Sequence, residues 1–538
     1  MTRAGFDVVA GLSFALVLSG CGGSSGAPAA SAPTPGVVYR VANPSSTDLW
    51  FAPTDGSGPP VALGDSPDQE YFSRVSGDRV LYTRSTATGS YHVYSVRRDG
   101  SGRVGLGVGV SSEGLYDVVD GRAIILQSGD GATVTSKVIA VALDGSSTIT
   151  LAEAPNTNPG NVAVRVLEGK LFTTTSSNND FSATGVLALI RADGTGRTVL
   201  LDQPAVAEVS SGGKVLARAR DTSTGTYRDH LYVASLDGSG RQDLGILQLN
   251  TAGTQVNGLR SQMDLFQSGD RAYFSTYDQG TSTGTMLAVP LATGVIETMA
   301  SVAGAWLIPW AVTNGRVIAN RMGSIDYLAT IDAASHTVTD FPNYRYNSYF
   351  AGAAQGKVLY TQQRSGSWSD IDLVSVNADG SNLTTLATTP LTQVGFGGGL
   401  GDDPAKVVVG VGDRVVFRKA VGGQDELGSC LIDGSSQKVI SQGAGAKGLE
   451  RVVGNVVIYR SMNGGSGDLF AVNADGTNHV ALTTAPENES FFDMVGQTVV
   501  FKRVSAAGAV SLYTVPLGGG TPKLLVTSSV ELYPAAGI

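Results

Sequence analysis

The fold is decided by the stretch Leu469-Phe470-Ala471-Val472-Asn473-Ala474-Asp475-Gly476, whose pattern recurs along the chain. Its apolar run is typical of a short buried strand, and the Asp-Gly pair favours the positive φ that closes a tight turn. Seven more Asp-Gly pairs have the same local setting and begin at Asp55, Asp99, Asp144, Asp193, Asp237, Asp379 and Asp433. Most neighbouring pairs are separated by roughly 42 to 55 residues, which predicts a repeat architecture with one small sheet per unit.

A second series of glycines lies between two apolar runs in each unit, as in Val75-Ser76-Gly77-Asp78-Arg79-Val80. The series comprises Gly77, Gly121, Gly169, Gly213, Gly269, Gly315, Gly356, Gly412, Gly454 and Gly496. Each unit is therefore predicted to run strand, glycine turn, strand, loop, strand, Asp-Gly turn, short strand. Four strands in about 45 residues are typical of a blade of a β-propeller.

Three further units keep the pattern without the Asp-Gly pair, around Ala292, Ala334 and Gly518, so we predict an all-β propeller of about eleven four-stranded blades. The first unit starts near residue 37 without a strand one, whereas residues 530–537 resemble the strand one at 115–121. We therefore expect the two ends of the chain to complete one blade together, which removes an exposed edge.

Single rings usually hold four to eight blades, so eleven units predict two tandem rings, five plus six or six plus five. The long connection at 246–265 favours a first propeller over 37–265 and a second over 266–538. The switch could fall anywhere in 250–315, and a single wide ring is the remaining alternative.

The N-terminus carries an export signal. Arg3 precedes an apolar run at 8–18, which is too short to span a bilayer. The next residues, Leu18-Ser19-Gly20-Cys21, resemble the cleavage site of bacterial lipoproteins, which implies a signal peptide over 1–20 and lipid attachment at Cys21. Residues 21–36 are rich in Gly, Ser, Ala and Pro and are predicted to be a flexible tether. We expect an exported, membrane-anchored protein at the outer membrane or periplasmic face, not in the cytoplasm; an ordinary secretory signal with a chance cysteine is the alternative.

Composition narrows the possible partners. The net charge of −9 is spread thinly and forms no basic patch, which argues against nucleic acid. Cys430, the only other cysteine, occupies a slot that is Val or Ile in most repeats, and we expect a small core side chain there. No motif predicts a cofactor or a metal site.

Histidines and carboxylates recur at one position, the entry to the third strand of a unit. They are His92, His230, Asp48, Asp372, Glu426 and Asp468. Such a ring could bind a ligand at one rim. A polar residue also suits a loop–strand junction, and the repetition of the slot favours this structural explanation.

Two connections depart from the repeat, at 246–265 and 392–408, and each adds about ten residues before the next strand one. Long insertions in propellers project from one face and often bind partners. We therefore predict a partner surface that includes Phe396, Asp402, Asp403, Asn257 and Arg260. Neutral insertions are the alternative, since surface loops tolerate extra length.

The segments at 373–386 and 469–483 resemble the repeat of TolB-type propellers, in which an apolar strand ends in Asn-Ala-Asp-Gly and a Leu-Thr pair closes the next strand. The resemblance covers 37–538 at repeat level, but the chain lacks the α/β domain that precedes the TolB propeller and the Ser-Pro-Asp-Gly turn. It implies the fold and a binding role.

For function we expect a membrane-anchored, non-enzymatic scaffold that binds an envelope protein or a polysaccharide. The alternative is a propeller-type lyase or glycosidase with carboxylates or histidines in a central funnel.

Overall fold

The computed structural model describes residues 34–538 except 44, 65, 108–111, 129–134, 155–160, 178–183, 222–227, 248–264, 279–280, 324–326, 343–349, 364–370, 389–407, 422–423 and 464–465. Residues Pro35–Ile538 form one compact unit. The described residues contain strands and turns and no helix, and accordingly no helix among them could span a membrane. Their strands form nine four-stranded sheets and one eight-stranded sheet, whose two four-stranded halves are joined by a single parallel pair, Thr47 with Gln69. These are the eleven four-stranded blades that the repeat predicts.

Blades 1 to 4 contain sixteen of the strands. Blade 1 has β1 (Gly36–Ala42), β2 (Thr47–Pro53), β3 (Val61–Ala62) and β44 (Leu532–Gly537). Blade 2 has β4 (Gln69–Ser76), β5 (Arg79–Ser85), β6 (Tyr91–Arg97) and β7 (Val104–Gly105). Blade 3 has β8 (Ser112–Val119), β9 (Arg122–Ser128), β10 (Lys137–Ala142) and β11 (Thr148–Glu153). Blade 4 has β12 (Asn161–Leu167), β13 (Lys170–Ser176), β14 (Gly185–Ile190) and β15 (Thr198–Leu201).

Blades 5 to 8 follow in chain order. Blade 5 has β16 (Val206–Ser211), β17 (Lys214–Asp221), β18 (Arg228–Ser235) and β19 (Gln242–Leu247). Blade 6 has β20 (Phe266–Ser268), β21 (Arg271–Asp278), β22 (Thr283–Pro290) and β23 (Glu297–Ala303). Blade 7 has β24 (Trp306–Thr313), β25 (Arg316–Met322), β26 (Tyr327–Asp332) and β27 (Val338–Asp340). Blade 8 has β28 (Phe350–Ala354), β29 (Lys357–Gln363), β30 (Ile371–Asn377) and β31 (Thr384–Thr388).

Blades 9 to 11 complete the unit. Blade 9 has β32 (Val408–Val411), β33 (Arg414–Val421), β34 (Gln424–Leu431) and β35 (Lys438–Val439). Blade 10 has β36 (Ala446–Val453), β37 (Val456–Asn463), β38 (Ser466–Asn473) and β39 (Val480–Ala481). Blade 11 has β40 (Asn488–Val495), β41 (Thr498–Val504), β42 (Val510–Pro516) and β43 (Lys523–Ser528).

The strands of a blade pair antiparallel in chain order, and we number them one to four. Blade 1 is the exception, because its strand one comes from the other end of the chain. β44 pairs antiparallel with β1, from Val37 opposite Gly537 to Val41 opposite Leu532, so the two ends of the described chain close one sheet. The expected closure is confirmed.

Apolar residues from facing sheets fill every joint between neighbouring blades. Among the described residues, ten hydrophobic clusters join blades that follow each other in the chain, from blades 1 and 2 through blades 10 and 11. An eleventh cluster joins Val500 and Leu512 of blade 11 to Val37 and Tyr39 of blade 1. These joints form one closed series.

The prediction of two tandem rings is therefore replaced by a single ring of eleven blades. A switch at 265/266 would separate blade 5 from blade 6, yet Leu216 and Val233 of blade 5 share a core with Phe274 and Val289 of blade 6. The expectation was wrong because the repeat specifies a blade and its neighbours, whereas the usual limit on ring size is only a tendency among propellers.

The turns between strands three and four explain why neighbouring blades stay in contact. The side chain of Gln242, in blade 5, donates a hydrogen bond of 3.0 Å to the carbonyl of Gly294 in the turn of blade 6. A Cβ on Gly294 would lie only 2.4 Å from that side chain. In blade 1, Lys523 of blade 11 donates to the Asp55 carbonyl at 2.7 Å. Both turns therefore lie against the fourth strand of the preceding blade, at the joint of blades 5 and 6 and at the joint of blades 11 and 1.

Candidate functional site

The first strands of the blades form the inner wall of the ring. Side chains from neighbouring first strands touch: Arg74 of β4 pairs with Asp117 of β8 at 2.5 Å, and Arg451 of β36 pairs with Asp493 of β40 at 3.2 Å. β44 and the first strands of blades 3 to 11 are edges of their sheets, whereas β4 also meets β2 through one parallel pair, Thr47 with Gln69. Pro534 of β44 fits this position, because an unpaired edge does not need the N–H that proline lacks.

Bulges in the first strands direct side chains towards the channel. The register shifts between Phe72 and Arg74 in β4 and between Leu115 and Asp117 in β8, which leaves Ser73 and Tyr116 as the extra residues. A bulge turns the extra residue out of the ladder. Both of these residues are exposed.

Three half-exposed tyrosines stand next to each other on this wall. Tyr533 is 43% exposed, Tyr71 41% and Tyr116 38%, and they lie on the first strands of blades 1, 2 and 3. The other described large apolar side chains of comparable exposure lie on other strands or turns: Tyr91, Val199, Val295, Met322, Val439 and Leu524. The tyrosines are thus a local feature of one arc of the wall, which we call the tyrosine arc.

Several charged residues on the wall are paired. Besides Asp117 and Asp493, Glu208 pairs with Arg218 at 2.8 Å and Glu450 with Arg460 at 3.4 Å. Arg40 lies over the Tyr533 ring, with 5.6 Å between the guanidinium carbon and the ring centroid. These four first-strand carboxylates therefore already hold arginine partners.

Four of the six recurring polar residues at strand-three entry, His92, Glu426, Asp468 and Asp48, face a charged residue of the next blade. The position faces the entry of strand one in the next blade: Nδ1 of His92 lies 3.7 Å from Glu113, and Glu426 lies 3.9 Å from the buried Lys447. The backbone N–H of Val93 also donates to Glu113, at 3.4 Å. These groups tie one blade to the next.

Two joints bring carboxylates towards each other. Burial raises the pKa of Glu489, and the nearby Asp468 charge adds to that effect. Burial likewise raises the pKa of Glu70, with a further contribution from Asp48. Arg503 offsets the charge at Glu489 by an ion pair of 2.6 Å. The remaining two residues of the predicted series differ: His230 bonds to Asp243 of its own blade at 2.6 Å, and Asp372 is buried.

Cys430 is fully buried in the joint of blades 8 and 9, where burial raises the pKa of its thiol to about 11. Across the part of the chain that the structure describes, no group of three or more His, Cys, Asp or Glu side chains is arranged to hold a metal ion.

The predicted partner surface lies outside the described residues, which include none of Phe396, Asp402, Asp403, Asn257 and Arg260; the same holds for Cys21. The tyrosine arc was not predicted. The sequence signal for the arc is weak. Aligning residues 530–537 with 115–121 by residue type pairs Tyr533 with Tyr116, whereas the strand register of the structure gives Tyr533 the same position as Tyr71. Aligning the strand-one segments around the bulges would have revealed it.

No protein-family model matches the chain, and no curated protein matches it. Among solved structures, the chain is similar to the tricorn protease, with 13% identity and a TM-score of 0.24 over 90% of this chain and 49% of that one, so it spans about half the length of that protein. The β-propeller domain of the Trilobed protease from Pyrococcus furiosus gives 13% identity and a TM-score of 0.27 over 60% of this chain and 97% of that one. TolB from Acinetobacter baumannii gives 12% identity and a TM-score of 0.23 over 59% of this chain and 78% of that one. At this level of similarity, none of their activities transfers to this chain.

Proposed function

We propose that the chain is an exported, lipid-anchored protein of the cell envelope that binds a protein or polysaccharide partner at the inner wall of its ring and does not alter that partner chemically. The observation that carries the proposal is the tyrosine arc. Exposed aromatic side chains grouped on three neighbouring strands are costly to leave in water and are enriched where proteins bind partners.

The alternative, a lyase or glycosidase working in the central funnel, needs an acid–base pair that reaches a substrate. Asp117 and Asp493 on the wall are engaged with arginines, and His92, Glu113 and Glu426 lie in the joints between blades. The contacts of these candidates support binding rather than proton transfer.

The binding role is tested with the full chain carrying an affinity tag, extracted from envelopes in mild detergent. Partners captured by the wild type are compared with those captured by the triple variant Tyr71→Ser, Tyr116→Ser and Tyr533→Ser. We expect at least one partner, protein or polysaccharide, to be lost with the triple variant. An identical set of partners, or shortened products released from a bound polysaccharide, would contradict the proposal.

The anchor rests on the sequence Leu18-Ser19-Gly20-Cys21, whose small residues before the cysteine suit cleavage by the lipoprotein peptidase. We expect Cys21→Ala to leave the precursor uncut or to release the protein from the membrane fraction, because the thiol that would carry the lipid is gone. Cell fractionation and the mass of the mature N-terminus check this. Normal processing and unchanged membrane association would rule out the lipid anchor.

The connections at 246–265 and 392–408 remain a second candidate surface within the same proposal. In the sequence, both stand between the fourth strand of one blade and the first strand of the next, β19 to β20 and β31 to β32. Partners that persist in the triple tyrosine variant would be the ones to examine after these insertions are shortened.

A further inference from the structure

A gap lies within the tyrosine arc. Register places Tyr533 opposite Arg40, Tyr71 opposite Thr83 and Gly114 opposite Leu126, which is the same position on the first strands of blades 1, 2 and 3. A Cβ on Gly114 would meet nothing within 4 Å. Blade 3 therefore leaves space where blades 1 and 2 present a ring.

A second tyrosine lies beside this gap, on the strand of Gly114 itself. Tyr116 lies two residues beyond Gly114 on the same strand and is half-exposed. The gap is thus flanked by Tyr71 on β4 and Tyr116 on β8. An aromatic ring beside open space can pack against one face of a ring-shaped group.

Polar groups lie on the strands beside the gap. Arg74 and Asp117 pair with each other across the same two strands at 2.5 Å, and the Ser73 and Thr83 hydroxyls lie 3.2 Å apart on β4 and β5. The guanidinium has donors beyond those of one ion pair, and the carboxylate and hydroxyls have further acceptor capacity. A ligand rich in hydroxyl groups can use both.

We propose that the tyrosine arc binds an extended glycan chain, with one sugar ring in the gap at Gly114 and further sugars against Tyr71 and Tyr533. The proposal rests on the binding role proposed above and names the partner class. The C–H faces of a sugar pack against tyrosine rings, while its hydroxyls bond to Arg74, Asp117 and the tyrosine hydroxyls.

Several observations favour a glycan over a protein partner. The tyrosines lie on the first strands of three successive blades, so they follow one another around the wall. Protein hot spots instead centre on a packed apolar core with a polar rim. Of the described exposed apolar side chains outside the arc, Val199, Val439 and Leu524 lie on fourth strands, away from the wall.

The length of the row favours a chain over a single sugar. Tyr533, Tyr71 and the gap occupy three consecutive first strands, and β44 places Tyr533 at the closure of the ring. A small sugar would touch one of these positions. Binding is therefore expected to strengthen as the glycan gets longer.

The test uses the purified full chain with two probes, an array of bacterial oligosaccharides of graded length and insoluble peptidoglycan sacculi. Tyr71→Ala and Tyr116→Ala each remove one wall of the gap, and Gly114→Trp fills it while keeping every tyrosine. Gly114 has no left-handed backbone conformation, so the substitution does not strain the main chain. We expect each variant to weaken glycan binding about tenfold or more.

Two matched controls are present in the chain. Gly448 has the equivalent place on β36 in blade 10, where a Cβ would likewise meet nothing within 4 Å, so Gly448→Trp should leave binding unchanged. Tyr91 is 45% exposed but lies on β6, the third strand of blade 2, so Tyr91→Ala should also have no effect. Circular dichroism and the thermal midpoint confirm that all variants fold.

The outcomes separate the two proposals. Binding of an oligosaccharide that is lost in Gly114→Trp and kept in Gly448→Trp supports the glycan site. If neither probe binds the wild type, or if binding survives in all three arc variants, the glycan inference is wrong. The broader binding role then still stands if the triple tyrosine variant loses a protein partner in the envelope capture, and it fails if no partner is lost.

Discussion

The Asp-Gly pairs act through the side chain of the aspartate as well as through the glycine. In all eight turns, the backbone N–H two residues after the aspartate donates to its Oδ1, at 2.8–3.0 Å. That later residue is always Ser or Thr. These hydrogen bonds lower the pKa of each aspartate, for example Asp433. The repeat is therefore specified by three residues, Asp-Gly-Ser/Thr, and not by the pair alone.

Two separate constraints require glycine in these turns, a positive φ and a close contact with the preceding blade, and both can be measured in blade 9. Gly434 has φ +86°, and a Cβ there would lie 2.8 Å from Cγ2 of Thr384 on the fourth strand of blade 8. Gly412, in the other turn of blade 9, has φ +62° and nothing within 4 Å. Gly412→Ala should lower the free energy of unfolding by about 1 kcal/mol, the cost of a left-handed residue. Gly434→Ala should lower it by roughly 2 kcal/mol or more, because the neighbouring blade must also shift.

Urea unfolding of the two variants, with Gly434→Ala also placed in a Thr384→Ser background, checks this difference. The serine lacks the Cγ2 methyl, so it should restore part of the stability lost by Gly434→Ala and none of that lost by Gly412→Ala. Equal losses in the two single variants would mean that contact between blades adds nothing to the glycine requirement.

At the scale of elements, the residues at the start of strands one and three show that contacts between blades cannot be read from one repeat alone. The sequence places His92 and Glu426 in one recurring slot, but their partners, Glu113 and Lys447, come from the following blade. A series of polar residues at a repeat position is compatible with a binding rim or with a joint. Only the packing of one blade against the next decides between them.

β44 is the element on which closure depends. Deleting 530–538 removes the strand that pairs with β1 and takes Leu532 out of the cluster between blades 11 and 1. We expect the joint to open and β1 to become an unpaired edge prone to self-association, because an uncovered edge recruits other strands. Hydrogen exchange should show lost protection in β1 and β40, and light scattering should show larger species.

A synthetic peptide of residues 530–538 should restore protection by adding the missing strand, whereas a scrambled peptide should not. Tyr533→Ala in the full chain is the matched control, because it removes an exposed side chain and leaves β44 in place. Unchanged exchange in the truncated chain would show that β44 does not close the ring.

At the scale of the whole molecule, the repeat alone predicts the blades, their number and the closure by both ends. It does not predict the number of rings. The joint of blades 5 and 6, formed by residues such as Val233 and Phe274, has the same apolar composition as its neighbours, so no local pattern marks it as continuous or broken. The long connection at 246–265 suggested a break, yet chain length between blades does not determine how their sheets pack.

The tyrosine arc was harder to predict from the sequence than the blades, because it depends on which first strands lie side by side in the ring. Tyr533 and Tyr71 are about 460 residues apart in the sequence, and only the pairing of β44 with β1 puts them on adjacent first strands. Tyr116 is exposed because of a bulge, which shifts register by one residue without a clear sequence signal. Strand register and ring order together create the arc.

The central claim is that all eleven blades belong to one ring, and electron microscopy of the full 55.2 kDa chain tests it most directly. The tyrosine arc, the closure by β44 and the joint of blades 5 and 6 all depend on it. Averages of particles viewed along the ring axis should show eleven radial densities around one open channel. Two smaller rings of five and six densities, each with its own channel, would contradict the account.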